Sequence, residues 1–210
     1  MKYIIAIIAI TFIACKGPVT FDRPQPDNTP DLINFPEKIT GNYLSSDKNS
    51  ILTIHNNSII RTTDYDGKEL KDSLDSSYIL KGDTIYNKYS SNKEKVVIKG
   101  DTILHHIHLS DTLFVISDSG KLKHFRGYYF LNIKEGKDSW VVQKLSLHKG
   151  VLTIGNIADS TDLHKLQEIT ETQNDSIAKP FSLSKRQFKK FLRNDGFREE
   201  NVYTKITLTK

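Results

Sequence analysis

The chain of 210 residues has only one cysteine, Cys15, so it cannot form an internal disulfide and must rely on a hydrophobic core. It also lacks the motifs of several enzyme classes. There is no Gly-x-Ser-x-Gly nucleophile elbow, no phosphate-binding loop and no acidic loop with the ligand spacing of a calcium site. Most aspartates stand beside glycine or serine in predicted turns, where backbone geometry explains them. We therefore expect a protein that is not an enzyme.

The charged residues do not form long blocks of one sign. The formal net charge is +5, and lysine, arginine, aspartate and glutamate are interspersed along the chain. A nucleic-acid-binding protein would need a clustered basic patch. We therefore interpret the charges as a source of solubility and expect no nucleic-acid partner.

Residues 1–14 have the features of an export signal. Lys2 precedes an apolar run, from Ile4 to Ile13, that only Thr11 interrupts. A run of about a dozen apolar residues is too short to span a bilayer, which needs about 20. The sequence Phe-Ile-Ala-Cys at residues 12–15 resembles the lipobox of bacterial lipoproteins. The alternative is an ordinary signal peptide followed by a chance cysteine.

The lipobox resemblance implies that the signal peptide is removed and that Cys15 carries acyl chains such as palmitate. Two or more acyl chains anchor a protein stably, so we expect a domain held at a membrane by its lipid, with no other cofactor. Lys16 stands where an aspartate would retain an enterobacterial lipoprotein at the inner membrane. We therefore expect an outer-membrane lipoprotein of the cell envelope.

Residues 15–36 contain five of the six prolines of the chain, at positions 18, 24, 26, 30 and 36. A proline-rich segment favours an extended conformation, at about 3.1 Å per residue. We predict that this segment is a tether that holds the folded domain on the order of 60 Å from the lipid. Residues 37–210 then form a single β-rich domain.

Repeated turn signals predict an antiparallel meander. The string Lys-Gly-Asp-Thr-Ile occurs at residues 81–85 and again at 99–103, and each copy separates two runs rich in Ile, Val, Tyr and Thr. We count ten or eleven strands, which predicts a mainly β fold, either barrel-like or made of two packed sheets. The polar residues 64–77 are predicted to be a long hairpin loop.

Two short helices are predicted near the C-terminus, over residues 160–169 and 185–195. Ser184 and Gln187 have the spacing of a capping box at the start of the second helix. Gly196 stands where a left-handed residue commonly ends a helix. The alternation of apolar and polar residues over 202–209 predicts a closing strand.

Three histidines, at residues 105, 106 and 108, are the clearest candidates in the sequence for metal ligands. On a strand, His106 and His108 point to the same face, so two imidazoles can share a metal ion. A catalytic zinc site needs a third ligand, for which His124 and His55 are candidates. The alternative is that the histidines form the exposed polar face of a half-buried strand.

The aromatic residues Tyr128, Phe130 and Trp140 are candidates for a ligand-binding surface. They fall on two successive predicted strands and could line an apolar cavity or stack on a sugar. The alternative is that they are core residues and cross-strand pairs.

The isoleucine-rich signal, the segment Gly127–Asn132 followed by Trp140, and the segments Phe188–Leu192 and Gly196–Phe197 resemble lipoproteins of the Bacteroidetes and Flavobacteria. The resemblance favours a location in the cell envelope and implies no activity. We expect a non-enzymatic binding or accessory module whose partner is a protein, a glycan or an apolar ligand. One alternative is a metal-dependent envelope hydrolase that uses His106 and His108. Another is a structural or immunity-type lipoprotein that binds one protein partner.

Overall fold

The computed structural model describes residues 18–157, 160–172 and 179–207. The predicted signal peptide and Cys15 lie outside these residues. Among the residues described, no helix is both long enough and apolar enough to cross a bilayer. The strands are β1 (Asp31–Leu32), β2 (Gly41–Ser45), β3 (Ser50–Ile54), β4 (Ser58–Leu70), β5 (Tyr78–Lys81), β6 (Thr84–Asn87), β7 (Lys93–Lys95), β8 (Val97–Lys99), β9 (Thr102–Val115), β10 (Gly120–Phe125), β11 (Tyr128–Gly136), β12 (Ser139–His148), β13 (Val151–Asn156) and β14 (Glu199–Ile206). The α-helices are α1 (Ser160–Thr170) and α2 (Lys185–Arg193), and short 3-10 turns lie at Glu37–Ile39 and Lys71–Ser73.

Within the described residues the strands form two antiparallel sheets. Eleven strands pair in the order β1-β10-β11-β12-β13-β14-β2-β3-β4-β9-β8, and β5-β6-β7 form a separate small sheet. The prediction of a mainly β, antiparallel fold with two short helices near the C-terminus is confirmed. The large sheet is not closed into a barrel, so the two-sheet form of the prediction is the one that fits.

The larger core lies on one face of the eleven-stranded sheet. Fully buried side chains from both halves of the sheet meet there, among them Tyr43, Leu52, Leu122 and Leu145. These residues alternate with more exposed ones along their strands, as expected for a sheet with one buried face.

The second core lies between the opposite face of the sheet and the two helices. Phe130 of β11 packs edge-on against Phe188 of α2, with ring centroids 5.0 Å apart. The predicted capping box starts α2, because the Ser184 side chain accepts a hydrogen bond from the Gln187 N–H and the Gln187 side chain accepts one from the Ser184 N–H.

The role predicted for Gly196 is wrong. Its neighbours Asp195 and Phe197 have the left-handed φ values, 57° and 67°, whereas Gly196 does not. Gly196 is needed for a different reason. A Cβ atom at this position would lie 2.5–2.7 Å from three ring atoms of Phe191, which is fully buried. Glycine therefore allows the backbone that follows α2 to pass directly against the Phe191 ring.

Replacement of Gly196 by alanine is expected to lower the free energy of unfolding by about 1–3 kcal/mol, because the buried Phe191 ring has to shift. Urea denaturation measures this change. Gly136→Ala is the matched control, since its added Cβ would meet only the Ser139 Cβ at 3.7 Å. Equal stability of the two variants would contradict the proposed ring contact.

Residues 18–36 do not form the extended tether that was predicted. Val19, Phe21 and Phe35 are buried, and Phe21 exchanges two backbone hydrogen bonds of 2.8 Å with Trp140. Further along, β1 pairs with β10. The packed domain thus begins by Val19 rather than near residue 37, because isolated apolar side chains between the prolines supply part of both cores.

Buried polar groups also hold this N-terminal segment. The Asn132 Oδ1 accepts a hydrogen bond of 2.5 Å from the Gln25 N–H, and the Asn132 Nδ2 donates one of 2.9 Å to the Gln25 carbonyl. The Lys123 Nζ donates to the Pro26 carbonyl at 3.2 Å. Burial lowers the pKa of Lys123, and the nearby carboxylate of Asp31 partly opposes this shift.

The predicted loop over residues 64–77 is in large part a strand. Strand β4 continues through Leu70 and pairs with β9 along its whole length, but β3 pairs with it only from Ile59 to Thr63. Residues 64–70 of β4 and their partners, residues 102–108 of β9, therefore extend past β3 as a ribbon, which we call the arm, and β8 pairs with residues 102–104 at its end. The small sheet packs on the arm through a third apolar cluster built on Ile85, Val96 and Ile103.

Candidate functional site

The two faces of the arm carry different sets of side chains. Side chains alternate along each strand, and the register pairs Asp64 with His108 and Asp66 with His106 on one face. The other face carries Tyr65, Gly67, Glu69, His105 and Ile107 and is turned toward the small sheet.

His105, on β9, contacts carboxylates from two other strands. Its Nε2 lies 2.7 Å from the Glu69 Oε1, on β4, and its Nδ1 lies 3.0 Å from the Glu94 Oε1, on β7. The His105 side chain is only 12% exposed. Each ring nitrogen of His105 thus lies within hydrogen-bonding distance of a different carboxylate. This cluster ties the small sheet to the arm.

A cleft of about 380 Å³ lies between the arm and the small sheet, and we call it the arm cleft. This volume falls within the range of about 300–1,000 Å³ that is common for binding pockets. The residues that line it are Gly67, Lys68, Glu69, Leu74, Asp75, Tyr78, Ile85, Glu94, His105 and Ile107.

The arm cleft is apolar in part, and its charged groups are mainly acidic. Three carboxylates line it, from Glu69, Asp75 and Glu94. The one lysine among its described lining residues, Lys68, pairs with Leu104 on the opposite face of the arm. Hydrogen bonds from the Ser77 hydroxyl and backbone N–H hold the pKa of Asp75 below its ordinary value, which keeps that carboxyl ionised. The arm cleft therefore suits a cationic group that carries apolar surface beside it.

Exposed apolar side chains lie beside the arm cleft. Tyr65 is 45% exposed and Tyr78 is 41% exposed, and Leu109, one residue beyond the arm on β9, lies on the same face as Tyr65. Tyrosine is enriched at protein–protein interfaces because it combines a large apolar ring with a hydroxyl group. This part of the surface has the composition of an interface.

The metal centre predicted from His106, His108 and His124 is not assembled. The two arm histidines are mostly exposed and pair with carboxylates, the His108 Nδ1 lying 2.7 Å from Asp64 and the His106 Nδ1 lying 3.1 Å from Asp66. Within residues 18–157, 160–172 and 179–207, no group of three or more His, Cys, Asp or Glu side chains could hold a metal ion.

The two candidate third ligands lie elsewhere in the sheet. His124 is on β10, at the other end of the strand order from β9, and its ring packs at a tilt against that of Tyr129, with centroids 4.8 Å apart. His55 follows β3 and donates its backbone N–H to the Ser58 carbonyl.

The three predicted aromatic ligand-binding residues do not form one exposed surface. Phe130 is fully buried between the sheet and α2, and Trp140 is buried where its backbone pairs with Phe21. Tyr128 is 37% exposed, with the Lys144 Nζ 5.6 Å from its ring centroid. The alternative interpretation, core packing, is the one that describes Phe130 and Trp140.

The arm cleft was not predicted from the sequence. The shared face of His105 and Ile107 was visible in the strand alternation, but the carboxylates of Glu69 and Glu94 come from a segment predicted as a loop and from a separate sheet. No protein-family model, curated protein or solved structure matches the chain.

Proposed function

We propose that the protein is a lipid-anchored protein of the bacterial outer membrane that binds a partner protein through the arm cleft. The observation that carries the binding part of this proposal is the cluster of His105, Glu69 and Glu94 in a cleft with exposed tyrosines beside it. The anchor rests on the resemblance of residues 12–15 to a lipobox.

A partner protein fits these observations better than an apolar ligand or a glycan. The aromatic side chains that would line a ligand cavity, Phe130 and Trp140, are packed in the interior, whereas Tyr65, Tyr78 and Leu109 are exposed beside the cleft. Exposed apolar groups that cluster at one place are typical of a surface that another protein covers.

The charges of the arm cleft define the chemistry of the partner. Three carboxylates close to the apolar part of the cleft favour a lysine or arginine side chain that projects from an apolar surface of the partner. The proposed role is non-enzymatic, since both nitrogens of His105 already face carboxylates. A structural or immunity-type lipoprotein with one protein partner is a special case of this proposal.

Tyr65→Ala and Tyr78→Ala are each expected to weaken binding of the partner at least about tenfold, the effect that truncation of a central interface tyrosine produces. The measurement is quantitative co-purification of each variant with its native partner from detergent-solubilised envelopes, followed by titration of the identified partner.

Tyr128→Ala is the matched control. Tyr128 is exposed to a similar extent, but it lies on β11, at a distance from the arm in the strand order. Its variant is expected to bind the partner like the unsubstituted protein. An equal loss of binding in all three variants would contradict a site at the arm cleft.

A further inference from the structure

Helix α2 is strongly basic on the surface that faces away from the core. Its nine residues, Lys-Arg-Gln-Phe-Lys-Lys-Phe-Leu-Arg, include five cations and no anion, while Phe188 and Phe191 fix its buried side. Arg186, Lys189, Lys190 and Arg193 line an open groove of about 800 Å³ that runs along the helix. We call this surface the α2 groove.

The four cations of the α2 groove are not neutralised within the described residues. Other cations of the chain have carboxylate partners, such as Lys144, which lies 3.1 Å from Glu200. The structure gives no ion pair or hydrogen bond to the side chains of Arg186, Lys189, Lys190 and Arg193 from residues 18–157, 160–172 and 179–207. Among the described residues that line the groove, Glu171 is the one acidic residue. The groove therefore presents an excess of positive charge to its surroundings.

The start of the packed chain lies close to the same helix. The Thr20 carbonyl accepts a hydrogen bond of 2.8 Å from the Phe181 N–H, and the Asp22 N–H donates one of 3.0 Å to the Phe181 carbonyl. Phe181 stands three residues before Ser184, the N-cap of α2. Cys15 precedes the buried Val19 by four residues, which span at most about 14 Å. A lipid on Cys15 would thus hold the beginning of α2 near the bilayer.

We propose that the α2 groove docks on the anionic phosphate headgroups of the membrane in which Cys15 is anchored. This inference rests on the lipid anchor of the proposed function. Basic side chains within a few ångströms of an anionic leaflet are attracted to it, and the attraction falls off within one Debye length. The anchor brings the groove within reach of the bilayer, and the four cations then fix which side of the domain faces the lipid.

The test uses the full lipoprotein reconstituted into two kinds of vesicle, one that contains phosphatidylglycerol and one of phosphatidylcholine alone. The reactivity of single lysines toward an acetylating reagent is measured by mass spectrometry. Lys189 and Lys190 are expected to react at least about threefold more slowly on the anionic vesicles, and high salt should remove the difference. Lys93 and Lys95 of the small sheet are the reference and should react equally on both.

Two double variants sharpen this test. Arg186→Gln with Arg193→Gln removes half of the charge of the groove but keeps both reporter lysines, and it is expected to abolish their protection. Lys81→Gln with Lys99→Gln removes the same charge from the small sheet and from β8, and it is expected to leave the protection unchanged.

Flotation of the same samples with the vesicles tests the lipid anchor independently of the docking of the α2 groove. Protein that floats with both kinds of vesicle and reacts equally on both would overturn the docking alone. Protein that floats with neither would overturn the anchor and the docking together. Flotation only with the anionic vesicles would overturn the anchor, and with it the docking of an anchored domain.

Discussion

Replacement of Asn132 by leucine is expected to lower the free energy of unfolding by about 2–4 kcal/mol, the largest loss of stability that we expect from a single side chain here. Asn132 is fully buried, and its amide meets both the N–H and the carbonyl of the backbone of Gln25. Leucine has a similar shape but cannot hydrogen-bond, so it would leave both backbone groups buried without partners. The segment that contains Val19, Phe21 and Phe35 should then detach more easily.

Urea denaturation gives the change in stability, and hydrogen exchange of residues 18–36 shows whether the loss is local to this segment. Asn42→Leu is the matched control, because Asn42 is only half-buried and forms a single side-chain hydrogen bond, of 2.9 Å, with Thr53. That variant is expected to lose no more than about 1 kcal/mol. If both variants lost the same amount, Asn132 would not have the role that the structure gives it.

Replacement of Cys15 by serine is expected to abolish acylation of the protein completely. Serine has no thiol to carry a lipid, and the preceding apolar run of about a dozen residues is too short to span a bilayer in its place. The measurement is metabolic labelling of cells with a palmitate analogue, followed by fractionation of the envelope. The unsubstituted protein should carry the label in the outer-membrane fraction, and Cys15→Ser should carry none.

Lys16→Ala is the control for this variant, since it changes the adjacent residue but keeps the thiol. It is expected to be acylated like the unsubstituted protein. Labelling of the serine variant, or no labelling of the unsubstituted protein, would contradict the lipid anchor.

The parts of the fold that could be predicted are those with local signals. The hairpins around residues 81–85 and 99–103 followed from glycine and aspartate between apolar runs, and the start of α2 followed from Ser184 and Gln187. These signals act within a few residues, so a single sequence contains them in full.

The N-terminal segment could not be predicted because its apolar residues are isolated. Val19, Phe21 and Phe35 show no helical or strand period, and the prolines among them are typical of an extended tether. Their burial depends on distant partners such as Trp140 and Phe181. Tertiary contacts of this kind leave no local pattern in the sequence.

The arm and its cleft were missed for a related reason. Residues 64–70 are polar and contain Gly67, so they look like a loop, and only their pairing with β9 makes them a strand. That pairing places Asp64 and Asp66 opposite His108 and His106, which replaces the predicted metal site by cross-strand pairs.

The basic face of α2 was not predicted because the charges were considered over the whole chain and not over single helix faces. Charges of both signs are interspersed over the chain as a whole, but the helical repeat gathers Arg186, Lys189, Lys190 and Arg193 on one exposed surface. The charge of a helix face therefore has to be counted separately from the charge of the chain.

Photo-crosslinking in intact cells tests the central claim, a protein partner at the arm cleft, most directly. A photoreactive phenylalanine analogue takes the place of Tyr78 in one variant and of Tyr128 in another. The proposal predicts a covalent adduct with one envelope protein from position 78 and no such adduct from position 128. No adduct from position 78, or the same adduct from both positions, would contradict it.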